Sequence, residues 1–413
     1  MTGKYDVIII GGGAAGMCAA INIKMHDRSI SVAILEQLSR VGKKLITTGN
    51  GRCNITNLNI NLDRYHGDDI GFAEYALTNY DNYFAADFFS EIGIVFTYDE
   101  TGRGYPYSLQ ASSVVDCLRF ALEEYGVDTF VDTSVMSYTK KDNFFNIKTT
   151  NGDFVAESVI VASGLYSGGQ KLGSNGSMLK ILKSAGYKSV KTTPAIVQLK
   201  TETDVVKSLK GMKVDANVLL TIDGKEVRKE FGEVLFCDYG LSGPPIMQLS
   251  REVERMSGKK TITLDLMSEY TFANVCDMLS YRVSVLRERT LEEYLTGMLN
   301  KRVGQAVLKM CGLKLSDSVA SLKNSDIKQI ASVIKGMKFK VTGTTGFDNS
   351  QVTAGGLDTT QFNPQTMESK RERGLYCIGE ILDIDGDCGG FNLQWAWSSA
   401  FCASNAICED FGV

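Results

Sequence analysis

The chain has 413 residues, of which 44% are hydrophobic and 22% charged, and its formal net charge is −4. This length is sufficient for two or three domains, and the acidic balance argues against a nucleic-acid partner. No apolar run could span a bilayer and no basic secretory leader is present, so we expect a cytoplasmic protein that does not associate with membranes. The ten cysteines form no C-x-x-C pair and are expected to be reduced thiols. Because His26 and His66 are the only histidines, a Ser-His-Asp site or a metal site is not expected.

Residues 5–16 predict a strand, a glycine turn and the start of a helix. Val7–Ile10 is a run of β-branched residues, typical of a strand buried on both faces. The apolar stretch Ala14–Ile23 predicts a helix that begins at the turn and directs its free N–H groups at an anion. Between them stand the glycines of a G-x-G-x-x-G pattern, Gly11, Gly13 and Gly16. The first permits the tight turn, the second allows a pyrophosphate to approach, and the third allows the helix to pack closely.

An acidic residue follows at the distance that dinucleotide binding requires. A second strand, Ser31–Leu35, ends at Glu36, which is 20 residues after Gly16. The Glu36 carboxylate can accept hydrogen bonds from both hydroxyls of an adenosine ribose. The alternative is a glycine turn in an ordinary α/β protein. A signal peptide or membrane span is not favoured, because Asp6 and the glycines interrupt the apolar run.

The middle of the chain changes character twice. Before residue 190 we predict helices at 71–79, 82–91, 111–125 and 177–185, a β-meander at 129–150 and a buried strand at Val159–Ala162. Residues 194–264 alternate and turn often, as short antiparallel strands do. Residues 271–335 have helical periodicity, and residues 337–357 return to strands and glycine turns.

The C-terminal segment indicates which dinucleotide binds. A buried strand at Leu375–Ile378 ends in Gly379-Glu380, and a glycine pair then opens a helix over Leu393–Glu409. A nicotinamide Rossmann domain does not need this second half, whereas FAD does, because its ribityl chain and flavin extend beyond the adenosine pocket. Glu380 can hold a ribityl hydroxyl. The N–H groups of Asn392 and Leu393 can face the flavin pyrimidine edge, where negative charge develops on reduction. A surface turn with a capping asparagine is the alternative.

Both ends of the chain therefore contribute to one nucleotide-binding domain, and the insertion between them is β-rich and itself carries helices. The predicted boundaries are 1–190 and 363–413 for the two parts of the FAD-binding domain, 191–265 and 337–362 for the β-rich domain, and 266–336 for the helical insertion.

Four motifs together resemble the YhiN/BaiN-like flavoprotein family, which includes aminoacetone oxidases and bile-acid-pathway flavin reductases. They are Gly-Asn-Gly-Arg-Cys-Asn-Ile-Thr-Asn at 49–57, Gly-Leu-Ser-Gly-Pro-Pro at 240–245, Val-Thr-Ala-Gly-Gly at 352–356 and Gly-Phe-Asn-Leu-Gln-Trp-Ala at 390–396. The resemblance covers nearly the whole chain. It implies an α/β fold in which a two-part FAD-binding Rossmann-like domain holds an inserted β-barrel-like domain and a nested small helical domain.

The resemblance also implies roles for individual residues of the loop 42–57. Lys43, Lys44, Arg52 and Asn54 would lie along the pyrophosphate and flavin, where cations and amide donors suit the ligand. Cys53 has no partner cysteine four or five residues away, so it would pack against the cofactor rather than act as a redox pair.

Two segments depart from the family pattern, namely residues 162–169 and the Gly-Tyr at 186–187. The substrate of a relative therefore does not transfer directly. The complete set of residues that we predict to bind FAD is Gly11, Gly13, Ala14, Ala15, Gly16, Glu36, Gln37, Lys43, Lys44, Gly51, Arg52, Cys53, Asn54, Val135, Ala162, Ser163, Gly164, Gly379, Glu380, Asp385, Gly390, Phe391, Asn392 and Leu393.

The segment Gly-Arg-Gly-Tyr-Pro-Tyr at 102–107 supplies the candidates for contact with a substrate. Arg103 and Tyr105 are the predicted catalytic residues, with Tyr107 as a further candidate. A tyrosine can donate a proton or hold a carbonyl oxygen. Tyrosines that pack beside Pro106 are the alternative.

These observations predict an FAD-dependent oxidoreductase that transfers a hydride at flavin N5 to or from a small-molecule substrate. The resemblance favours a reductase that takes hydride from NADH or NADPH and reduces an activated C=C bond, such as an enone. Residues 190–360 contain no second G-x-G-x-x-G, so the nicotinamide would bind transiently. That absence is equally compatible with an amine oxidase of the aminoacetone type, which produces hydrogen peroxide. A non-catalytic flavin-bearing module that binds RNA is the third alternative.

Overall fold

The computed structural model describes residues 2–413, which form two compact units. The first unit extends to Pro194 and resumes at Phe347–Val413, and the second is Ala195–Gly346. The sequence predicts an insertion that ends at residue 362, whereas residues 347–362 belong to the first unit. Backbone hydrogen bonds explain the difference, because Leu357 N–H donates to Ile381 O at 2.8 Å and Asp383 N–H donates to Leu357 O at 2.9 Å.

A seven-stranded sheet organises the first unit. Its strands, in spatial order, are Asp128–Phe130, Val32–Leu35, Thr2–Ile10, Gly152–Val161, Phe144–Thr149 and Val135–Lys141, and Leu375–Cys377 pairs with the end of Gly152–Val161. Val32–Leu35 and Gly152–Val161 run parallel to Thr2–Ile10. Asp128–Phe130 runs parallel to the first of these two strands, and Leu375–Cys377 runs parallel to the second. The hairpin over 135–149 is antiparallel. The central strands are buried on both faces, as their continuous β-branched runs predict.

The helices of the first unit are Ala14–His26, Glu74–Asn79, Asn82–Glu91, Ala111–Glu124, Ser177–Ser184 and Phe391–Phe411. The first and last of these, which we call the N-terminal and C-terminal helices, pack against each other. Asn22 Nδ2 donates to Ser404 Oγ and to Asn405 Oδ1, both at 2.7 Å. The C-terminal helix starts at Phe391 rather than at the predicted Leu393. Gly390 precedes it with φ +98°, a conformation that glycine adopts at little cost.

Smaller strands and 3-10 turns connect these elements. The strands are Thr56–Asn57, Tyr65–His66, Phe96–Tyr98, Arg103–Pro106, Thr193–Ala195, Val352–Ala354 and Asp385–Gly386. The 3-10 turns of the first unit are Leu45–Gly51, Leu62–Arg64, Ile70–Ala73, Gln170–Leu172, Phe347–Asn349, Thr359–Gln361 and Gly379–Ile381. Arg103–Pro106 lies between Thr56–Asn57 and Phe96–Tyr98 in a three-stranded antiparallel sheet.

A closed six-stranded antiparallel barrel organises the second unit, as the resemblance implied. Its strands, in spatial order, are Leu199–Thr201, Gly240–Ser242, Lys225–Phe236, Lys213–Ile222, Lys260–Asp265 and Met337–Thr344. Alternate residues point inward, so that Ala216, Val218 and Leu220 are fully buried. The helices Thr203–Ser208, Pro244–Gln248 and Ser250–Arg255 lie on the connections.

A helical segment follows the fifth barrel strand in the chain. Its helices are Phe272–Val285, Leu291–Tyr294, Lys301–Met310 and Asn324–Lys335, with a 3-10 turn at Val319–Ser321. The segment has its own core around Val275, Leu279 and Ile330. Val303 and Ala306 instead belong to the barrel core, so the segment and the barrel form one compact unit. No helix of residues 2–413 is both long enough and apolar enough to cross a membrane.

Candidate active site

The carboxyl ends of four parallel strands converge at one edge of the sheet. The pairing register aligns Ile10 with Leu35 and with Val161, and Val161 with Cys377. The residues that follow these strand ends are Gly11, Glu36, Ala162 and Ile378. Ligands of doubly wound sheets bind at this edge, where the connections leave the sheet. The predicted site residues from both ends of the chain therefore meet there.

Each glycine of the first loop has a distinct environment. A Cβ built on Gly11, where φ is +110°, would lie 2.6 Å from Ala162 O, and one built on Gly16 would lie 2.0 Å from Gly11 O. Gly13 precedes the N-terminal helix, which has no side-chain cap, and nothing lies within 4 Å of a Cβ built on it. Gly11 and Gly16 thus shape the loop, and Gly13 faces open space beside uncapped N–H groups, which suits a pyrophosphate.

The Glu36 carboxylate is hydrogen-bonded to the backbone of the glycine loop. The residue is 8% exposed, and its Oε2 accepts from Gly12 N–H while its Oε1 accepts from Leu38 N–H, both at 2.8 Å. Burial raises the pKa of the Glu36 carboxyl, although these hydrogen bonds partly offset the rise. Each carboxylate oxygen can accept a second hydrogen bond, so Glu36 can also hold ribose hydroxyls.

We expect a Glu36→Ala variant to retain FAD roughly tenfold more weakly, because hydrogen bonds to a charged group contribute about 1.5–3 kcal/mol each. The FAD content after gel filtration, together with the dissociation constant from fluorescence titration of the apoprotein, measures the change. Glu409→Ala, in the last turn of the C-terminal helix, is the control and should retain wild-type affinity. Unchanged affinity in Glu36→Ala would remove Glu36 from the site.

The loop 42–57 contributes basic side chains that contact different neighbours. Lys44 Nζ forms an ion pair with Glu380 Oε2 at 2.6 Å and donates a hydrogen bond to Ser167 Oγ. Arg52 is exposed, and its guanidinium lies 5.3 Å from the centre of the Tyr105 ring. Lys43 is close enough to Glu36 to favour its charged form.

Cys53 and Asn54 form the inner side of the same loop. Cys53 is fully buried, and burial raises the pKa of its thiol to about 12, so the reactive thiolate is not populated near neutral pH. Asn54 Oδ1 is buried and accepts no hydrogen bond from residues 2–413. A buried carbonyl oxygen without a donor is costly, and it indicates that a ligand supplies the missing donor.

The second half of the site begins at Gly379. Its N–H donates to Ser399 Oγ at 3.0 Å, which ties the turn to the C-terminal helix. Glu380 Oε1 accepts from Ser167 Oγ at 2.6 Å, while its Oε2 pairs with Lys44. Glu380 is therefore the centre of a Lys44–Glu380–Ser167 cluster. Its predicted contact with a ribityl hydroxyl must use the remaining lone pairs of these oxygens.

The C-terminal helix presents its N-terminus to the same region. A Cβ built on Gly390 would lie 2.4 Å from Thr56 O and 2.8 Å from Asn54 Oδ1, so the helix start is pressed against the loop 42–57. No side chain caps this end. The Asn392 side chain is bonded to Gly386 N and O at 2.8 and 2.7 Å. The N–H groups of Phe391, Asn392 and Leu393 are thus oriented by the helix and available to an acceptor.

The residues present fit FAD. Asn54 Oδ1 lacks a donor within residues 2–413, as described above. A Cβ built on Gly13, Gly51 or Gly164 would meet no atom within 4 Å, so each of these glycines borders open space. Glu36 suits an adenosine ribose, the uncapped N-terminal helix suits the pyrophosphate, and the uncapped C-terminal helix suits an electron-rich flavin edge. These groups come from both halves of the first unit, which explains why the chain must return to the sheet after its insertion.

The three-stranded sheet places the predicted catalytic residues beside this region. Tyr105 is 6% exposed, and its hydroxyl makes no hydrogen bond within residues 2–413. Arg103 lies next to the turn before the C-terminal helix, because a Cβ built on Gly389 would be 3.5 Å from Arg103 Nε. Neither Arg103 nor Arg52 forms an ion pair within the described chain. Tyr107, by contrast, is 73% exposed.

Three predicted residues are engaged elsewhere in the fold. The Gln37 amide donates to Gly173 O and accepts from Asn175 Nδ2 at 2.8 Å, so it secures the adjacent loop. Val135 begins an edge strand of the sheet. Asp385 is opposite His66 in a two-stranded ladder. Contact of these residues with FAD stays a prediction.

One further cluster at this site has no signature in the sequence. His66 Nε2 and Asp387 Oδ1 are 2.9 Å apart, and Arg64 Nη1 and Asp387 Oδ2 are 3.5 Å apart. The cluster borders the turn that leads into the C-terminal helix. About 320 residues separate its members in the chain, so only the pairing of Tyr65–His66 with Asp385–Gly386 brings them together.

The family described as HI0933-like protein Rossmann domain matches residues 5–406. The chain belongs to this HI0933-like family. A 3-dehydro-bile acid delta(4,6)-reductase of Clostridium scindens is 34% identical over 404 residues, which cover 97% of this chain and 98% of that protein. A ribosomal RNA dihydrouridine synthase of Haemophilus influenzae is 28% identical over 415 residues, which cover 98% and 99%.

Among solved structures, a 3-ketosteroid-delta4-(5alpha)-dehydrogenase of Rhodococcus jostii RHA1 shares the fold, with a TM-score of 0.50, 15% identity and 97% coverage of both chains. The family and the geometry together establish that this HI0933-like protein is an FAD-dependent oxidoreductase, as the motifs predict.

Proposed function

We propose that the protein reduces a C=C bond conjugated to a carbonyl group and that NADH or NADPH supplies the hydride. The observation that carries this proposal is the chemistry shared by two relatives that align over nearly their full length. A delta(4,6)-reductase of a 3-dehydro-bile acid and a dihydrouridine synthase each saturate a C=C bond conjugated to a carbonyl. Such a bond accepts a hydride at the carbon distal to the carbonyl and a proton at the carbon next to it.

The residues around Tyr105 suit this reaction. When bound, FAD supplies hydride transfer through N5 of its isoalloxazine ring. Negative charge then develops on the substrate carbonyl oxygen, and an arginine without a carboxylate partner can stabilise it. Arg52 and Arg103 form no ion pair within residues 2–413, although the Arg103 charge also interacts with the Asp99 carboxylate. The Tyr105 hydroxyl has no partner within residues 2–413, and it can donate the proton that completes saturation and recover one from water.

An anaerobic titration of the purified FAD-loaded protein with NADH and NADPH tests the first half of the proposal. We expect either nucleotide to bleach the flavin absorbance, and addition of a 3-oxo-Δ4 steroid or another enone to restore it. A saturated ketone of the same skeleton is the control and should leave the flavin reduced. If neither nucleotide bleaches the flavin, but an amine such as aminoacetone does so with release of peroxide, the protein is an amine oxidase.

A second candidate substrate is uridine within RNA. Although the whole chain is acidic, the unit Ala195–Gly346 contains 23 Lys and Arg against 18 Asp and Glu, and the remainder of the chain contains 21 against 30. This uneven charge supports an RNA partner that the net charge of the chain does not suggest. The expectation that the protein has no nucleic-acid partner is untested and stays a prediction.

Mass spectrometry of nucleosides from ribosomal RNA separates the two candidates. If RNA is the substrate, dihydrouridine disappears from a strain that lacks the gene and returns with the wild-type gene but not with a Tyr105→Phe copy. If dihydrouridine is unchanged while enones reoxidise the reduced flavin, the substrate is a small molecule.

A further inference from the structure

A cavity of about 450 Å³ opens on the helical segment of the second unit. It is lined mainly by methionine, aliphatic and tyrosine side chains, together with one arginine and one glycine. Its apolar lining residues are Met267, Met278, Val285, Leu286 and Met298, and the others are Tyr270, Tyr281, Arg282 and Gly297. The volume falls within the range of small-molecule pockets, which are concave and mostly apolar with a few polar groups.

The helix Phe272–Val285 has one broad apolar face, and the core of the segment covers only part of it. Val275 and Leu279 are fully buried in the core of the segment. Residues 278 and 282 each stand three positions after a core residue, at the border of that face, and together with residues 281 and 285 they line the cavity. Tyr281 is 71% exposed and Val285 is 59% exposed. An exposed cluster of large apolar side chains marks a binding surface, and methionines adapt to ligands of different shape.

Arg282 gives this cavity a fixed positive charge. Its Nε donates to Tyr294 O at 2.9 Å, and its Nη2 donates to Tyr294 O at 2.5 Å and to Thr296 O at 2.7 Å. These carbonyls hold the guanidinium in place but do not neutralise it. Arg282 forms no ion pair within residues 2–413, and its Nη1 has no acceptor there. The neighbouring Lys335, by contrast, is neutralised by Asp265 at 2.6 Å.

We propose that this cavity binds an anionic amphiphile, a molecule with an apolar body and one carboxylate or similar group. The methionine and aliphatic wall removes the apolar body from water. Arg282 pairs with the anionic group through its free Nη1, and charge complementarity selects that class over neutral apolar molecules. The site lies in the second unit and is independent of the reaction proposed for the first.

Calorimetric titration of the FAD-loaded protein with dodecanoate, below its micellar concentration, tests the proposal. We expect saturable binding with one site per chain, and binding of dodecanol about tenfold weaker, because the alcohol has no charge to pair with Arg282. Val285 offers a matched pair of variants, since it is exposed and stands three residues from Arg282 on the same face. Both variants remove the same apolar side chain from the wall, so Val285→Glu, which neutralises Arg282, should bind dodecanoate about tenfold more weakly than Val285→Lys.

Arg282→Gln should also abolish the preference for dodecanoate, but it removes the bonds to the 294–296 turn, so the Val285 pair is decisive. Equal affinity for dodecanoate and dodecanol, or equal affinity in both Val285 variants, would overturn the proposal. So would a wild-type protein without saturable binding. A concentration-dependent dimer that Val285→Glu dissociates would show instead that the face binds a second copy of the chain.

Discussion

A Gly13→Val variant is expected to fold normally and to purify without FAD. The backbone at Gly13 has φ −83° and ψ −167°, a region open to any L-residue, and a Cβ there meets no protein atom within 4 Å. The valine side chain would therefore occupy only the space in front of the N-terminal helix. That space suits the pyrophosphate, so each lost charge-assisted bond should weaken FAD binding about tenfold.

The absorbance ratio at 450 and 280 nm of the purified protein, compared with its circular dichroism melting curve, measures both expectations. Gly71→Val is the matched control, because Gly71 is exposed and its nearest neighbour is Asp69 Oδ1 at 3.4 Å. It should keep its FAD. Gly16→Ala should fail to fold, because the new Cβ would lie 2.0 Å from Gly11 O. Normal FAD content in Gly13→Val would show that the glycine loop is not the pyrophosphate site.

Replacement of Tyr105 by phenylalanine is expected to reduce turnover by about 100-fold or more, the lower end of what a general acid contributes. Tyr105 lies under the Arg52 guanidinium at 5.3 Å, and phenylalanine preserves that packing. FAD content and the rate of flavin reduction by NADPH should therefore stay at wild-type values. Only reoxidation by the enone should slow, because that half-reaction consumes the proton.

Stopped-flow measurement of the two half-reactions distinguishes a proton donor from a packing residue. Tyr107→Phe is the control, since Tyr107 comes from the same segment but is 73% exposed, and it should behave as wild type. Equal slowing of both half-reactions in Tyr105→Phe would indicate a structural role. Wild-type rates in both would assign the proton donor to a group other than Tyr105.

The parallel core of the fold was predictable because its elements are local. Val7–Ile10 has the unbroken apolar pattern of a strand buried on both faces, and the helix begins at Ala14 because the glycine loop ends there. The barrel was predictable only as alternating strands. Its closure depends on the pairing of Leu199–Thr201 with Met337–Thr344, two strands far apart in the chain, and hydrophobic alternation does not specify such a partner.

The boundaries were less predictable than the elements. Residues 347–362 contain strand and glycine-turn patterns that fit either unit equally well. Their assignment follows from hydrogen bonds such as those of Thr353 Oγ1, which accepts from Tyr166 N–H and Ser167 N–H at 3.1 and 3.0 Å. Those contacts are tertiary, and a one-dimensional pattern does not contain them.

By itself, the sequence determined the cofactor class, because the glycine loop and Glu36 act through backbone geometry and spacing that short-range order fixes. The tertiary structure alone decided which polar side chains remain available for chemistry. Lys44 and Glu380 neutralise each other, and Ser167 donates a hydrogen bond to Glu380, across more than 200 residues of chain. Within residues 2–413, Arg52 and Arg103 form no ion pair and the Tyr105 hydroxyl makes no hydrogen bond. Burial and pairing are properties of the packed chain, and they separate residues that hold the site from residues that can act in it.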